Sequence, residues 1–226
     1  MKTCSYTSLS SVFFSQPNLA LSVENEELGI AAGLQDRVIQ TFGGLVYMDF
    51  SEELMAKRGY GEYIPLDHTQ LPPLWLAYSG NPKDSGKMHN NVRQRWMSGD
   101  AEVVEGMKEF ALLAVSARQA IENRNFASLA DIMDANFSLR QRLYTDKCLG
   151  VANMEMVALA RAHGAAAKLP GSGGAVLGLC RDESTFEALR RDMEEHGYVC
   201  VPIIPSGPVG PSPHEYASSV HSGGVG

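Results

Sequence analysis

The stretch Glu24–Phe50, ENEELGIAAGLQDRVIQTFGGLVYMDF, constrains the fold more than any other, because its glycines cut it into pieces of distinct character. Glu24–Leu28 is polar and helix-forming, and Gly29 can close that helix in the left-handed conformation at no steric cost. Gly33-Leu34-Gln35-Asp36-Arg37 then brings a carboxylate to the start of a second helix, where backbone N–H groups point outward and favour negative charge. Val38, Ile39 and Phe42 predict a buried stripe, Gly43-Gly44 breaks the helix, and Leu45–Met48 predicts a strand. Asp36 reads either as the cap of the second helix or as a carboxylate available for chemistry at its mouth.

With 226 residues the chain has room for one large domain or two small ones. Its 19 basic and 26 acidic residues leave a net charge of −7, which argues against binding along a nucleic-acid backbone and leaves room for a small nucleotide site. No apolar run approaches the ~20 residues of a membrane-spanning helix. Cys4, Cys148, Cys180 and Cys200 are scattered without a CxxC pair, so a zinc site is not expected and a reducing compartment fits. The opening MKTCSYTSLSSVFF is rich in Ser and Thr and resembles an organelle transit peptide in composition, although it lacks arginine. It runs directly into Pro17–Val23, which reads as domain interior.

Beyond Phe50, Ser51–Lys57 predicts a short helix with Ser51 as its cap, and Tyr63–Leu66 an edge strand that tolerates Pro65. Leu71-Pro72-Pro73 marks a boundary. The expected organisation is therefore a first domain over 1–70, a second over 71–205, and a Pro-, Gly- and Ser-rich disordered tail over 206–226. Leu74–Ser79 predicts a buried strand. Met88–Trp96 predicts a short helix, and Phe110, Leu113, Ala114, Ala117 and Ile121 then recur at helical spacing. Phe126, Leu129, Met133 and Phe137 do the same, and a further helix covers Val151–His163. Ala165–Leu169 and Ala175–Cys180 predict two strands joined by Pro170-Gly171-Ser172-Gly173-Gly174. Ser184 with Glu187 forms a capping-box pattern for a last helix, closed by Gly197, before the strand Tyr198–Ile204. From residue 74 the order is β, helices, β, β, α, β, an α+β chain with a split-βαβ, ferredoxin-like second domain.

Three pieces of chemistry define a phosphoryl-transfer site: a cradle for the phosphates, a magnesium carboxylate, and a group that orients the attacking hydroxyl. The chain has no GxxxxGK[ST] loop and no HRD or DFG signature. Gly171–Gly174 is either a plain turn between strands or a run of N–H groups able to meet an anion.

Two of these segments, Gly33–Arg37 and Lys168–Gly174, together resemble the GHMP kinases, most closely the glucuronokinase-like branch. The resemblance spans residues 17–205 and includes the run DSGKMHNNVRQRW at Asp84–Trp96. It implies a two-domain fold in which Asp36 is the catalytic carboxylate. It further implies that Lys168, Gly171, Ser172, Gly173 and Gly174 support the phosphates of ATP, and that a carboxylate upstream meets Mg2+. Glu24 is the nearest match for that carboxylate, with Glu26 and Glu27 as alternatives. Pro170 stands where relatives carry Thr or Ser, which removes a hydroxyl and an N–H there. Arg37, Lys87 and Arg93, with Arg95, are candidates for the negative charge of a sugar acid.

The family's main phosphate loop, PxxxGLGSSAA, and a substrate motif before it are not found in this sequence, so the first domain reads as a truncated remnant. Its exposed apolar surface would favour self-association. The expected function is transfer of the ATP γ-phosphate to the anomeric hydroxyl of D-glucuronate, in the cytoplasm, with neither nucleic acid nor membrane as partner. The alternatives are a non-catalytic remnant or interaction module, or a kinase for another sugar or small alcohol.

Overall fold

In the computed structural model, residues 7–29, 32–80, 92–171 and 173–207 are described. The chain divides into two units, one of Met1–Thr69 with Pro205–Gly226 and the other of Gln70–Ile204.

The first unit opens with α1 (Thr7–Ser22), which continues into a π-helical turn over Val23–Glu27. Residues 7–14, the later part of the Ser- and Thr-rich opening, thus lie in a helix. Leu28 caps the π turn through its N–H to the Val23 carbonyl, and Gly29 follows at φ 64°, a left-handed angle that favours glycine. Next come α2 (Leu34–Phe42), β1 (Leu45–Asp49), α3 (Glu52–Arg58) and β2 (Glu62–Leu66). β1 and β2 pair antiparallel, with Pro65 opposite Val46. Both faces of α2 follow from its sequence: Val38 and Phe42 are buried, and Asp36 faces solvent. Val38, Phe42 and Tyr63 form the core of this unit with Phe14, Val46, Met48 and Phe50 around them. The rings interlock: Phe42 meets Tyr63 edge-on at 5.4 Å and Phe14 stacks on Tyr60 at 5.7 Å.

The second unit is a four-stranded antiparallel sheet packed with helices. β3 (Leu74–Ser79) leads into α4 (Val92–Met97), α5 (Ala101–Glu122), α6 (Phe126–Leu149) and α7 (Val151–Ala162). β4 (Ala166–Lys168), β5 (Ala175–Leu179), α8 (Glu183–Glu195) and β6 (Tyr198–Pro202) complete it. The spatial order β4-β5-β3-β6 puts the first strand of the unit in the middle, the split-βαβ arrangement. Trp75, Ala77, Val176, Tyr198 and Cys200 pack one cluster with Met156 and Val157 of α7 and Leu189 and Met193 of α8. Ala166 and Leu179 pack a second with Ala120 of α5 and Leu129 and Met133 of α6.

Two local expectations are corrected. α8 is capped by Asp182 rather than Ser184: the Asp182 carboxylate accepts from the Thr185 N–H at 2.7 Å and from the Ser184 hydroxyl at 2.7 Å. A carboxylate is the stronger acceptor, so the helix begins one residue before Ser184. In α5 the buried residues are Val103, Gly106 and Ala120, while Ala114 of the expected stripe is exposed. The reason is the close approach of α6. A side chain at Gly106 would meet Leu143 Cδ1 at 2.6 Å, so α6 lies against α5 at that point, while Ala117 and Ile121 of the stripe pack against the second cluster.

Candidate active site

In the first unit, Asp36 stands in the first turn of α2. It is not the cap. Gly33 holds that position in extended backbone, without a side-chain hydrogen bond, and the Asp36 side chain is 76% exposed. Its partner is the next residue, with Arg37 Nη1 at 3.3 Å from its carboxylate. Arg37 reaches further. Its Nη2 binds the Glu24 carboxylate in the π turn, and Nη1 also donates to the Gly33 carbonyl at 3.3 Å. Asn25 steadies the same turn by accepting from the Ala32 N–H at 3.1 Å. The fold therefore gathers Glu24, Asp36 and Arg37 into one cluster, with Arg37 between the two acids. Glu26 and Glu27 are exposed in the same turn.

In the second unit, the glycine-rich loop joins β4 to β5. Gly173 and Gly174 take φ of 129° and 82°, a region open to glycine and strained for other residues. Asn153, buried near the start of α7, fastens the loop. Its Oδ1 accepts from the Gly174 N–H at 2.9 Å and its Nδ2 donates to the Leu149 carbonyl at 2.6 Å. The Gly174 N–H is thus committed inside the fold and is not part of an outward row of donors. Gly173 passes so near that a side chain there would meet Asn153 Nδ2 at 2.8 Å. Among the described residues, nothing lies within 4 Å of where a side chain at Gly171 would be.

Lys168 ends β4 immediately before the loop. Its Nζ donates to the Leu169 carbonyl at 2.8 Å. Burial, and after it the charge of Arg140, draw its pKa down to about 8. Arg140, on α6, lies over the Tyr144 ring at 5.1 Å, and burial lowers its pKa as well.

Arg95 is committed to the fold. It binds Asp100 and Glu102 at 2.7 Å each and the Leu143 carbonyl at 3.2 Å, tying α4 to α5 and α6. Arg93 is exposed on α4. Lys87 and Ser172 lie outside the described residues, as does most of the Asp84–Trp96 run. Among the described residues no group of three or more His, Cys, Asp or Glu could hold a metal ion.

Residues 117–199 match the family model for the C-terminal region of the GHMP kinases. Over 189 residues the chain is 49% identical to Glucuronokinase 1 of Arabidopsis thaliana, covering 83% of this chain and 52% of that protein. It is 48% identical over 190 residues to Probable glucuronokinase 2 of the same plant, with the same coverage of 83% and 52%. The chain is GHMP kinase-like, and its residues 117–199 carry the family's C-terminal region. It spans about half the length of these curated relatives. Two solved structures share the GHMP kinase fold at low identity. The Lin0012 protein of Listeria innocua matches with a TM-score of 0.71 at 18% identity, over 90% of this chain and 62% of that one. The L. major mevalonate kinase in complex with R-mevalonate matches at 0.63 and 20%, over 84% and 58%.

Sequence reasoning passed over Arg140 and Asn153. Asn153 carried a signal, as a polar residue in the first turn of a helix whose neighbours Met156 and Val157 are core. Arg140 carried none, since arginine in a long helix reads as surface until its neighbours are known.

Proposed function

We propose that this chain belongs to an ATP-dependent sugar kinase that transfers the γ-phosphate to the anomeric hydroxyl of D-glucuronate. The observation that carries the reading is the 49% identity to a glucuronokinase over 189 residues. The local geometry supports it. Asp36 is exposed and free of any capping duty, so it can take the hydroxyl proton as the oxygen attacks phosphorus. Lys168, Gly171, Ser172, Gly173 and Gly174 are assigned to the phosphate side. Gly173 and Gly174 take positive φ and Asn153 fixes that turn, which holds the shape of the loop after Gly171. Arg37, Lys87 and Arg93 are assigned to the substrate's charge.

Magnesium would neutralise the developing charge on the phosphates. Kinases hold it by one or two carboxylates, with the nucleotide supplying other ligands. Glu24 fits that role better than Glu26 or Glu27, because it alone of the three is tied to the Asp36 cluster, through Arg37. The site is assigned to a cytoplasmic enzyme acting on a small sugar acid, with no nucleic-acid or membrane partner.

The test is a coupled assay with ATP, magnesium and a panel of D-glucuronate, D-galacturonate, D-glucose and mevalonate. It is run on this chain and on a longer form carrying a PxxxGLGSSAA loop upstream. Turnover is expected with D-glucuronate. D36N should abolish it while leaving nucleotide affinity and the unfolding midpoint nearly unchanged, since the side chain is exposed. Preference for a neutral substrate, or turnover that survives D36N, overturns the reading.

A further inference from the structure

Several arginines in this fold are supplied with an opposite charge. Arg95 has Asp100 and Glu102, Arg118 has Glu122, Arg142 has Glu109, and Arg190 has Glu187. Arg140 differs. It is half-buried, its Nε is buried and donates to nothing, and no carboxylate pairs with it among the described residues. The guanidinium lies over the Tyr144 ring, 5.1 Å from its centroid, a contact that does not take up its N–H groups. Lys168 ends β4, which packs against the helix that carries Arg140, as the bond from the Ala167 N–H to Asp134 shows; it is half-buried, and its Nζ donates to the neighbouring Leu169 carbonyl.

Two cations on packed elements, each partly out of water and, among the described residues, without a carboxylate partner, destabilise a fold. Methionine or leucine at either place would pack without that cost. The arrangement becomes favourable when a negative group enters, because a guanidinium fork binds a planar or tetrahedral oxyanion through two parallel N–H bonds. Arg37 cannot serve as freely, since Glu24 already occupies it.

We propose that Arg140 and Lys168 form a binding site for an oxyanion, a carboxylate or a phosphate group, beside the glycine-rich loop. Only the identity of the anion rests on the kinase reading: it is then the sugar acid's carboxylate or a phosphate of the nucleotide. Arg140 is the specificity-determining member, because its fork recognises two oxygens at once. Lys168 supplies charge.

The test follows the Arg140 Nε–H resonance of the 15N-labelled 226-residue chain, assigned through its bonds, during titration with D-glucuronate, inorganic phosphate and D-glucose. The signal is expected to move with at least one of the two oxyanions and not with D-glucose. R140M should weaken that oxyanion at least about tenfold, as loss of charge-assisted hydrogen bonds does. It should keep or raise the unfolding midpoint, because a charge without a partner adds nothing to stability. A response to D-glucuronate alone assigns the site to the substrate, and a response to phosphate assigns it to the nucleotide. A resonance that moves with neither anion, or an R140M affinity equal to wild type, overturns the proposal. Turnover on D-glucuronate alongside a silent Arg140 leaves the kinase standing and removes only this site. Oxyanion binding at Arg140 with no turnover on any sugar does the reverse.

Discussion

Glu24 and Arg37 hold each other across the bend that separates the π turn from α2, and Arg37 extends the same guanidinium to Asp36. The pair is not an exposed surface bridge. The Arg37 side chain is 12% exposed and that of Glu24 25%. Removing Glu24 leaves the Arg37 guanidinium with only the longer contacts to Asp36 and the Gly33 carbonyl, each at 3.3 Å.

E24A is therefore expected to cost about 1–3 kcal/mol, the penalty for leaving a partly buried charge without its partner. The double variant E24M/R37M should recover a good part of that loss, since two apolar side chains leave nothing unpaired. Urea unfolding of the two variants decides it. If both lose the same stability, the pair is ordinary surface charge.

Trp75 of β3 lies flat across Gly178 of β5. The two are register partners, and a side chain at Gly178 would sit 1.9 Å from the indole Cζ2 and 2.5 Å from the Ala166 carbonyl oxygen. G178A is expected to destabilise the second unit by about 3 kcal/mol or more, because the sheet cannot move away from both neighbours. W75L/G178A should cost less than the sum of the single changes, a coupling that thermal unfolding of the four proteins would measure. Strict additivity would show that the ring moves aside freely.

Asn153 satisfies two backbone groups that lie far apart in sequence, the Leu149 carbonyl and the Gly174 N–H. N153A leaves both without a partner in a buried place and is expected to cost about 1–3 kcal/mol. Hydrogen exchange gives the sharper reading. The Gly174 amide should lose protection by far more than the amides of β6, which end in a different part of the sheet. Equal losses everywhere would mean that Asn153 supports the whole unit rather than the loop.

Lys168 gives a pH signature of known sign. Its folded pKa is about 8 against an ordinary 10.5, so between these values the unfolded chain carries a proton that the folded chain lacks. Stability therefore rises with pH across that window, by at most about 3 kcal/mol for a shift of this size. Cys180 and Cys200 act in the opposite sense, because burial pushes both thiols up to about 11 from 9.0 and they withhold ionisation that the unfolded chain gains. The difference in unfolding free energy between wild type and K168M separates the two effects. That difference should climb from pH 8 to 10.5, and a flat line would show Lys168 ionising as it does in water.

The placing of elements was legible wherever the cause is local. Gly29, Gly43 and Gly44 end helical segments at positive φ, as residues without a side chain can. Asp36 was readable in the first turn of its helix from the adjoining glycine and apolar spacing alone. The β, helices, β, β, α, β succession followed from periodicity and turn residues, which each short segment carries within itself.

The sequence by itself determined these elements, their order and the two segments that carry the family likeness, because hydrophobic period, glycine angles and capping groups act within a few residues. Only the tertiary structure decided which charges are satisfied. It bound Arg95 to Asp100 and Glu102, drew Arg37 to Glu24, and left Arg140 over Tyr144 with, among the described residues, no acid. It also set Asn153 against Gly174 and Trp75 against Gly178, twenty residues or more away in each case. Such pairings depend on how strands register and helices turn against one another, and the energy that selects them comes from desolvation and packing that no single segment contains.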